Sequence, residues 1–281
     1  MSKQKGQALL IIVLVMAVAL TIGLAVISRS VTDIKISKQE EDSARVFSVA
    51  EAGIEEALMV GIGYSGTIDQ IGVNVVQIGQ GGGGEFVFPY DIQAESTQTL
   101  WLVEHNPDGT LKTAEHYSGN SITLYWGTPG LSTADPALEA ILIYKDGANV
   151  KVARYALDYT CKTNPSCPSS FDEDSSDMSL LDPPEQMGGK SFRFKKTINF
   201  SSLSMDYPYA LRLKFFYNEE EQNLGVKAEG SVLLPSQGNC YESTATDSVT
   251  NITRKIRQCR FFQAPPGIFD YALYSGGDLS K

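Results

Sequence analysis

Histidine is nearly missing from this chain, which has two, His105 and His116, in 281 residues. Cysteine is scarce as well, with four, and none stands in a C-x-x-C spacing. A zinc site therefore has little ligand stock, and a dithiol redox site lacks its paired thiols. Neither G-x-S-x-G nor H-E-x-x-H occurs, which removes the nucleophile-elbow and zinc-helix hydrolase signatures. Cations are outnumbered: 23 Lys and Arg against 33 Asp and Glu leave a net charge of −10. They are scattered, often alternating with apolar residues as in Phe192-Arg193-Phe194-Lys195-Lys196. That distribution argues against a nucleic-acid partner, since phosphate binding needs clustered basic side chains. Apolar residues are not lacking. At 42% of the chain they suffice for a core, and disorder is not expected.

Charge is absent altogether from residues 7–28, QALLIIVLVMAVALTIGLAVIS. As a helix rising about 1.5 Å per residue, this run covers roughly 33 Å, enough for the hydrocarbon core of a bilayer. A cleaved secretory signal is the blander reading, and Ala17-Val18-Ala19 offers an A-x-A-like site. Against it, the apolar run continues through Leu20, Ile22, Leu24, Val26 and Ile27, so a retained anchor is the expectation. Two Lys, Lys3 and Lys5, precede the span, while Arg29, Lys35, Lys38 and Arg45 follow it. A bare Lys/Arg count therefore does not place the amino terminus inside. The leader is short, however, and the cysteines favour an oxidising compartment, so the body is placed outside.

Proline is also absent from residues 28–58, and Gly53 is the one glycine there. Val31, Ile34, Phe47, Ala50, Ile54, Ala57 and Leu58 recur at steps of three and four, apart from a polar gap at residues 37–43. This spacing predicts one apolar face on a helix that continues the span, ended by Gly61 and Gly63. Chain organisation then reads as a leader (1–6), the membrane half of the helix (7–28) and its amphipathic extension (29–60). A Gly-rich transition (61–84) and a β-rich body (85–281) follow.

Lys5-Gly6, followed directly by the apolar run, resembles the class III signal of type IV pilins and pseudopilins. The stretch Phe47-Ser48-Val49-Ala50-Glu51-Ala52-Gly53-Ile54-Glu55-Glu56-Ala57 is similar to the F-x-A-A-E-A-A-x-x-x-A segment of PilX-type minor pilins. The resemblance covers about the first 60 residues. It implies a cut after Gly6 by prepilin peptidase, a methylated new terminus at Gln7, and other pilins as partners through the helix. Major pilins carry a glutamate five residues after the cut, where this chain has Ile11. A buried carboxylate opposite a buried amine offsets a large desolvation cost, and Ile11 supplies none. The resemblance therefore implies a minor or initiating subunit.

Beyond the helix, runs rich in aromatic and β-branched residues recur at 86–92, 99–104, 121–126, 140–144, 150–159, 192–200, 211–217, 226–234 and 252–262. Turn chemistry separates them, including Pro107-Asp108-Gly109 and Lys145-Asp146-Gly147, the latter a hairpin signal. Alternation in Leu211-Arg212-Leu213-Lys214-Phe215 gives strands one buried and one wet face. A shorter β-prone run, residues 73–78, sits between Gly-rich stretches that read as flexible joints. The fold class expected is α+β, a long N-terminal helix packed on an antiparallel sheet domain.

Few residues suggest chemistry. Gly61, Gly63 and Gly66 match G-x-G-x-x-G, but a helix precedes them and a loop follows, the reverse of a dinucleotide site. Gly188-Gly189-Lys190-Ser191 resembles the end of a phosphate loop whose first glycine is replaced by Pro184. Asp172, Asp174 and Asp177 offer oxygens at close spacing for calcium. The EF-hand pattern fails there, because Asp177 replaces the turn glycine and Pro183 the final glutamate. A solvated acidic loop is the plainer reading, and no cofactor is expected. His105 and His116 read as exposed loop histidines. Cys161–Cys167 and Cys240–Cys259 are the simplest disulfides, with the other pairings and free thiols left open. A non-enzymatic pilin-like subunit in the lipid bilayer is the leading expectation. A monomeric tethered binding module and an anchored hydrolase are the alternatives.

Overall fold

The computed structural model describes residues 5–106, 108–130, 135–160 and 177–270. The fold is α+β: one long apolar N-terminal helix and a mostly antiparallel set of sheets. Helix α1 (Lys5–Val60) is unbroken over 56 residues. It stops where Gly61 takes φ +77° while its N–H still reaches Ala57 O at 2.9 Å. A residue with a Cβ resists that left-handed conformation, which is why glycine ends so many helices.

The chain forms two compact units. The first takes Met1–Ile78 and Tyr241–Gln258, the second Gly79–Cys240 and Cys259–Lys281. This division differs from a cut at the glycine run, because residues from late in the chain return to complete the helix-bearing unit.

α1 meets a four-stranded sheet, the greater part of it in the first unit, of order β1 (Tyr64–Ile68), β2 (Ile71–Gly81), β14 (Ser236–Thr246) and β15 (Thr253–Phe261). Residues 61–84 are thus not a loose joint. β1 and β2 pair antiparallel from Tyr64↔Val75 to Ile68↔Ile71, turning at Asp69-Gln70, both at positive φ. Ile71, Val73 and Val75 alternate with exposed Gly72, Asn74 and Val76, the period-two pattern of a sheet with one buried face. Val46, Val49, Ala50, Ile54 and Ala57 of α1 pack on Ile71, Val73, Val75, Tyr241 and Ala245. The helix face differs from expectation at its N-terminal end. Phe47, Val31 and Ile34 stay 45%, 46% and 66% exposed, and the contact begins at Val46.

The second unit has two larger sheets. One has the order β10 (Ser179–Met187), β11 (Lys190–Asn199), β7 (Ser121–Trp126), β13 (Leu224–Ala228) and β3 (Glu85–Val87). The other has the order β4 (Thr97–Trp101), β12 (Tyr207–Phe216), β8 (Ala137–Asp146) and β9 (Asn149–Leu157), with a separate ribbon of β5 (Val103–His105) and β6 (Leu111–His116). Ile122, Leu124, Trp126, Phe194 and Val226 from the first sheet share one core with Leu100, Leu138, Leu142, Leu211, Leu213 and Phe215 from the second. Two apolar sheet faces closed on each other satisfy the need to bury both. β8 and β9 form the hairpin expected at Asp146-Gly147, closing at Asp146↔Asn149.

Candidate functional site

Side chains from Leu9 to Ile27 stand bare on α1, the large apolar ones 51–69% exposed. None of the stretch packs on the protein's own body, and its length and composition suffice to cross a membrane. Its polar side chains turn inward on the backbone. Thr21 donates its hydroxyl to Val18 O at 2.8 Å, and beyond the run Thr32 donates to Ser28 O at 2.9 Å. Such i−3 and i−4 bonds satisfy the hydroxyl within the helix itself. Gly6 and Gln7 lie in the first turns of α1, and Ile11 is 58% exposed.

The second half of α1 is held by close approach and by charge. A Cβ at Gly53 would lie 2.6 Å from Val73 Cγ2 and 3.2 Å from Ser243 Oγ, so only glycine lets helix and sheet meet there. Arg45 Nη2 reaches Asp247 Oδ2 at 2.8 Å. Asp247 also accepts the Val249 N–H at 2.9 Å. That bond foremost, with the Arg45 guanidinium adding, holds its carboxyl below the ordinary carboxylate range. Arg254 Nε donates to Ser43 Oγ at 2.9 Å. Sequence reasoning missed these pairs because their members lie some 200 positions apart; the one local signal was the lone glycine inside a helical pattern.

In the second unit, Cys240 and Cys259 form a disulfide. They are the last residue before, and the first residue after, the segment Tyr241–Gln258 contributed to the first unit. Cys161 and Cys167 lie outside the described residues, as do Asp172 and Asp174 of the calcium candidate. Asp177, its third member, is exposed and ion-paired to Lys196. Among the described residues no three His, Cys, Asp or Glu side chains converge as a metal site would require.

The histidines are not loop residues. His105 ends β5, its ring stacked on Phe262 at 4.0 Å between centroids and edge-on to Trp101 at 4.7 Å. Burial in that sandwich pushes its pKa down, with Glu104 pulling the other way. His116 ends β6 against Tyr207, 5.2 Å between centroids. A buried ion pair joins Arg212 to Asp270, just past the 3₁₀ turn Gly267–Phe269. Thr99 accepts from Arg212 at 3.1 Å and Thr97 donates to Asp270 at 3.1 Å. Charges so buried persist only when paired and hydrogen-bonded. Gly188 and Gly189 form the β10–β11 turn, both at positive φ; Gly61 and Gly63 sit between α1 and β1, and Gly66 lies within β1 paired to Val73, with no helix following.

Fold and site together define an α+β protein whose N-terminal helix is long and apolar enough to cross a membrane. No protein-family model, no curated protein and no solved structure matches the chain.

Proposed function

We propose that this chain is a pilin-like assembly subunit, not an enzyme, that joins a type IV pilus or a related filament. The observation that carries the reading is the continuity of α1 from Lys5 to Val60. One helix bears a bare apolar half and a half packed on its own sheet, with Lys5-Gly6 at the edge of the apolar run. Before assembly, residues 7–28 anchor the protein in the cytoplasmic membrane with the body outside. The Cys240–Cys259 disulfide supports an oxidising surrounding for that body.

Assembly exchanges lipid contacts for helix–helix contacts, an exchange driven by packing because lipid tails are as apolar as leucine. Small residues serve it. A Cβ at Gly23 would meet nothing within 4 Å in the free chain, and with Ala17, Ala19 and Ala25 it allows a neighbouring helix to approach. Ile11, where major pilins carry an acid, favours a minor subunit over the bulk of a fibre.

Intact mass of the protein recovered from membranes and from sheared filaments tests this. Removal of residues 1–6 and a methyl group on Gln7 are expected. A retained leader would point instead to a membrane-tethered module that never polymerises, and a terminus at Leu20 to a cleaved secretory signal; either result sinks the proposal.

A further inference from the structure

The cations are not scattered everywhere. Arg254, Lys255, Arg257 and Arg260 fall on one strand, β15, in a chain of net charge −10. Among the described residues β15 is the outer strand of its sheet. It is nine residues long and contains neither proline nor glycine. An outer strand presents a row of backbone N–H and C=O groups with no neighbour to receive them. All four cations are exposed. Lys255 reaches Glu242 at 2.5 Å and Arg254 is engaged by Ser43. Arg257 and Arg260 have no acidic partner among the described residues.

Period-two geometry puts Lys255 and Arg257 on one face, about 6.6 Å apart. A strand added alongside, with carboxylates at alternate positions, sets an acid across from each. We propose that β15 receives an acidic, extended polypeptide segment as a fifth strand. The backbone ladder supplies affinity, while Lys255 and Arg257 select for acids. An anionic bilayer does not fit as occupant. With the span ending at Ser28, Ser43 lies about 22 Å further along the helix, more than two Debye lengths at physiological salt. Duplex nucleic acid would have to approach a body that is acidic overall. The inference stands whether or not the chain polymerises, because the strand is available in either case.

The test uses the full chain in nanodiscs of zwitterionic lipid and a fluorescent peptide, Thr-Glu-Val-Glu-Val-Glu-Val-Glu-Thr, followed by anisotropy. Micromolar binding is expected, weakened about tenfold or more by Arg257→Glu and unchanged by Lys112→Glu. On the wild-type protein, the same peptide N-methylated at alternate residues should not bind, since it cannot form the ladder. Three results would overturn the proposal: no binding, equal binding of the N-methylated peptide, or indifference to Arg257→Glu. Displacement of the peptide by a short DNA duplex at lower concentration would overturn it too, reassigning the edge to polyanions.

Discussion

Gln237 is 2% exposed and gives its amide to the backbone of Trp101, accepting the Trp101 N–H at 2.8 Å and donating to Trp101 O at 2.8 Å. The same nitrogen also donates to Pro235 O at 2.9 Å. One side chain thus completes the hydrogen bonds that a neighbouring strand would make. Gln237→Leu keeps volume but strands both Trp101 groups, each costing about 1–3 kcal/mol when buried and unpaired. Denaturant unfolding should show a loss of about 2–4 kcal/mol; a loss below about 1 kcal/mol would mean that water takes over the bonds.

His105 carries a pH dependence set by burial, not by an ion pair. Burial lowers its folded pKa, so below its ordinary value of about 6.5 the unfolded chain binds the proton first. Its contribution to stability is whole above that value and declines as pH falls toward the folded pKa. His105→Phe keeps a ring against Phe262 and removes the titration. Thermal melts from pH 7 to pH 5 should therefore fall more steeply for the wild type, and parallel curves would refute the assignment.

Among the elements, β14 and β15 depend on a covalent tie. The Cys240–Cys259 disulfide spans 19 positions, and a loop of that size gives about 3 kcal/mol on the chain-entropy model. Replacing both cysteines by serine should lower the melting temperature of the oxidised protein and leave that of the reduced protein nearly unchanged. An equal effect in both states would trace the loss to packing around the fully buried Cys240.

The elements also differ in how plainly they could be read beforehand. Helix α1, β7 and the β8–β9 hairpin were legible, because their apolar periodicity is strong and their turn residues are local. β14 was not: its buried positions include Ser243 and Ala245, too small and polar to register as a run. β10 was hidden by Pro183 and Pro184, which it tolerates as an outer strand with a register shift between Leu180 and Glu185. β1, interrupted by Gly66, was not legible, and of β2 the run 73–78 was, while its ends at exposed Gly72 and at Gly79 and Gly81 were not. Of the candidate site, the apolar span was readable from hydropathy alone. The Arg45–Asp247 pair and the His105 sandwich were not, since contacts across long separations leave no mark on local pattern.

For the whole molecule, a bare apolar stretch long enough to cross a membrane and a stretch packed on the first unit's sheet belong to one unbroken helix. The mass of the mature chain decides between filament and tether, as argued above, and it does so without reference to what the body binds. The acidic-peptide titration is independent of that outcome, so one reading can fail while the other holds.

The return of Tyr241–Gln258 to the first unit has a consequence in time. During synthesis α1, β1 and β2 emerge first, yet Tyr241 and Ala245, which cover the same helix stripe, follow about 160 residues later, on the order of 10–30 s at ribosomal speed. Through that interval Val46, Val49, Ala50, Ile54 and Ala57 have Ile71, Val73 and Val75 to pack on but lack Tyr241 and Ala245. A stop codon anywhere in the second unit before β14 would spare every residue of the helix and still leave its seat incomplete. The stability of the N-terminal helix's docking is thus held hostage to the end of translation.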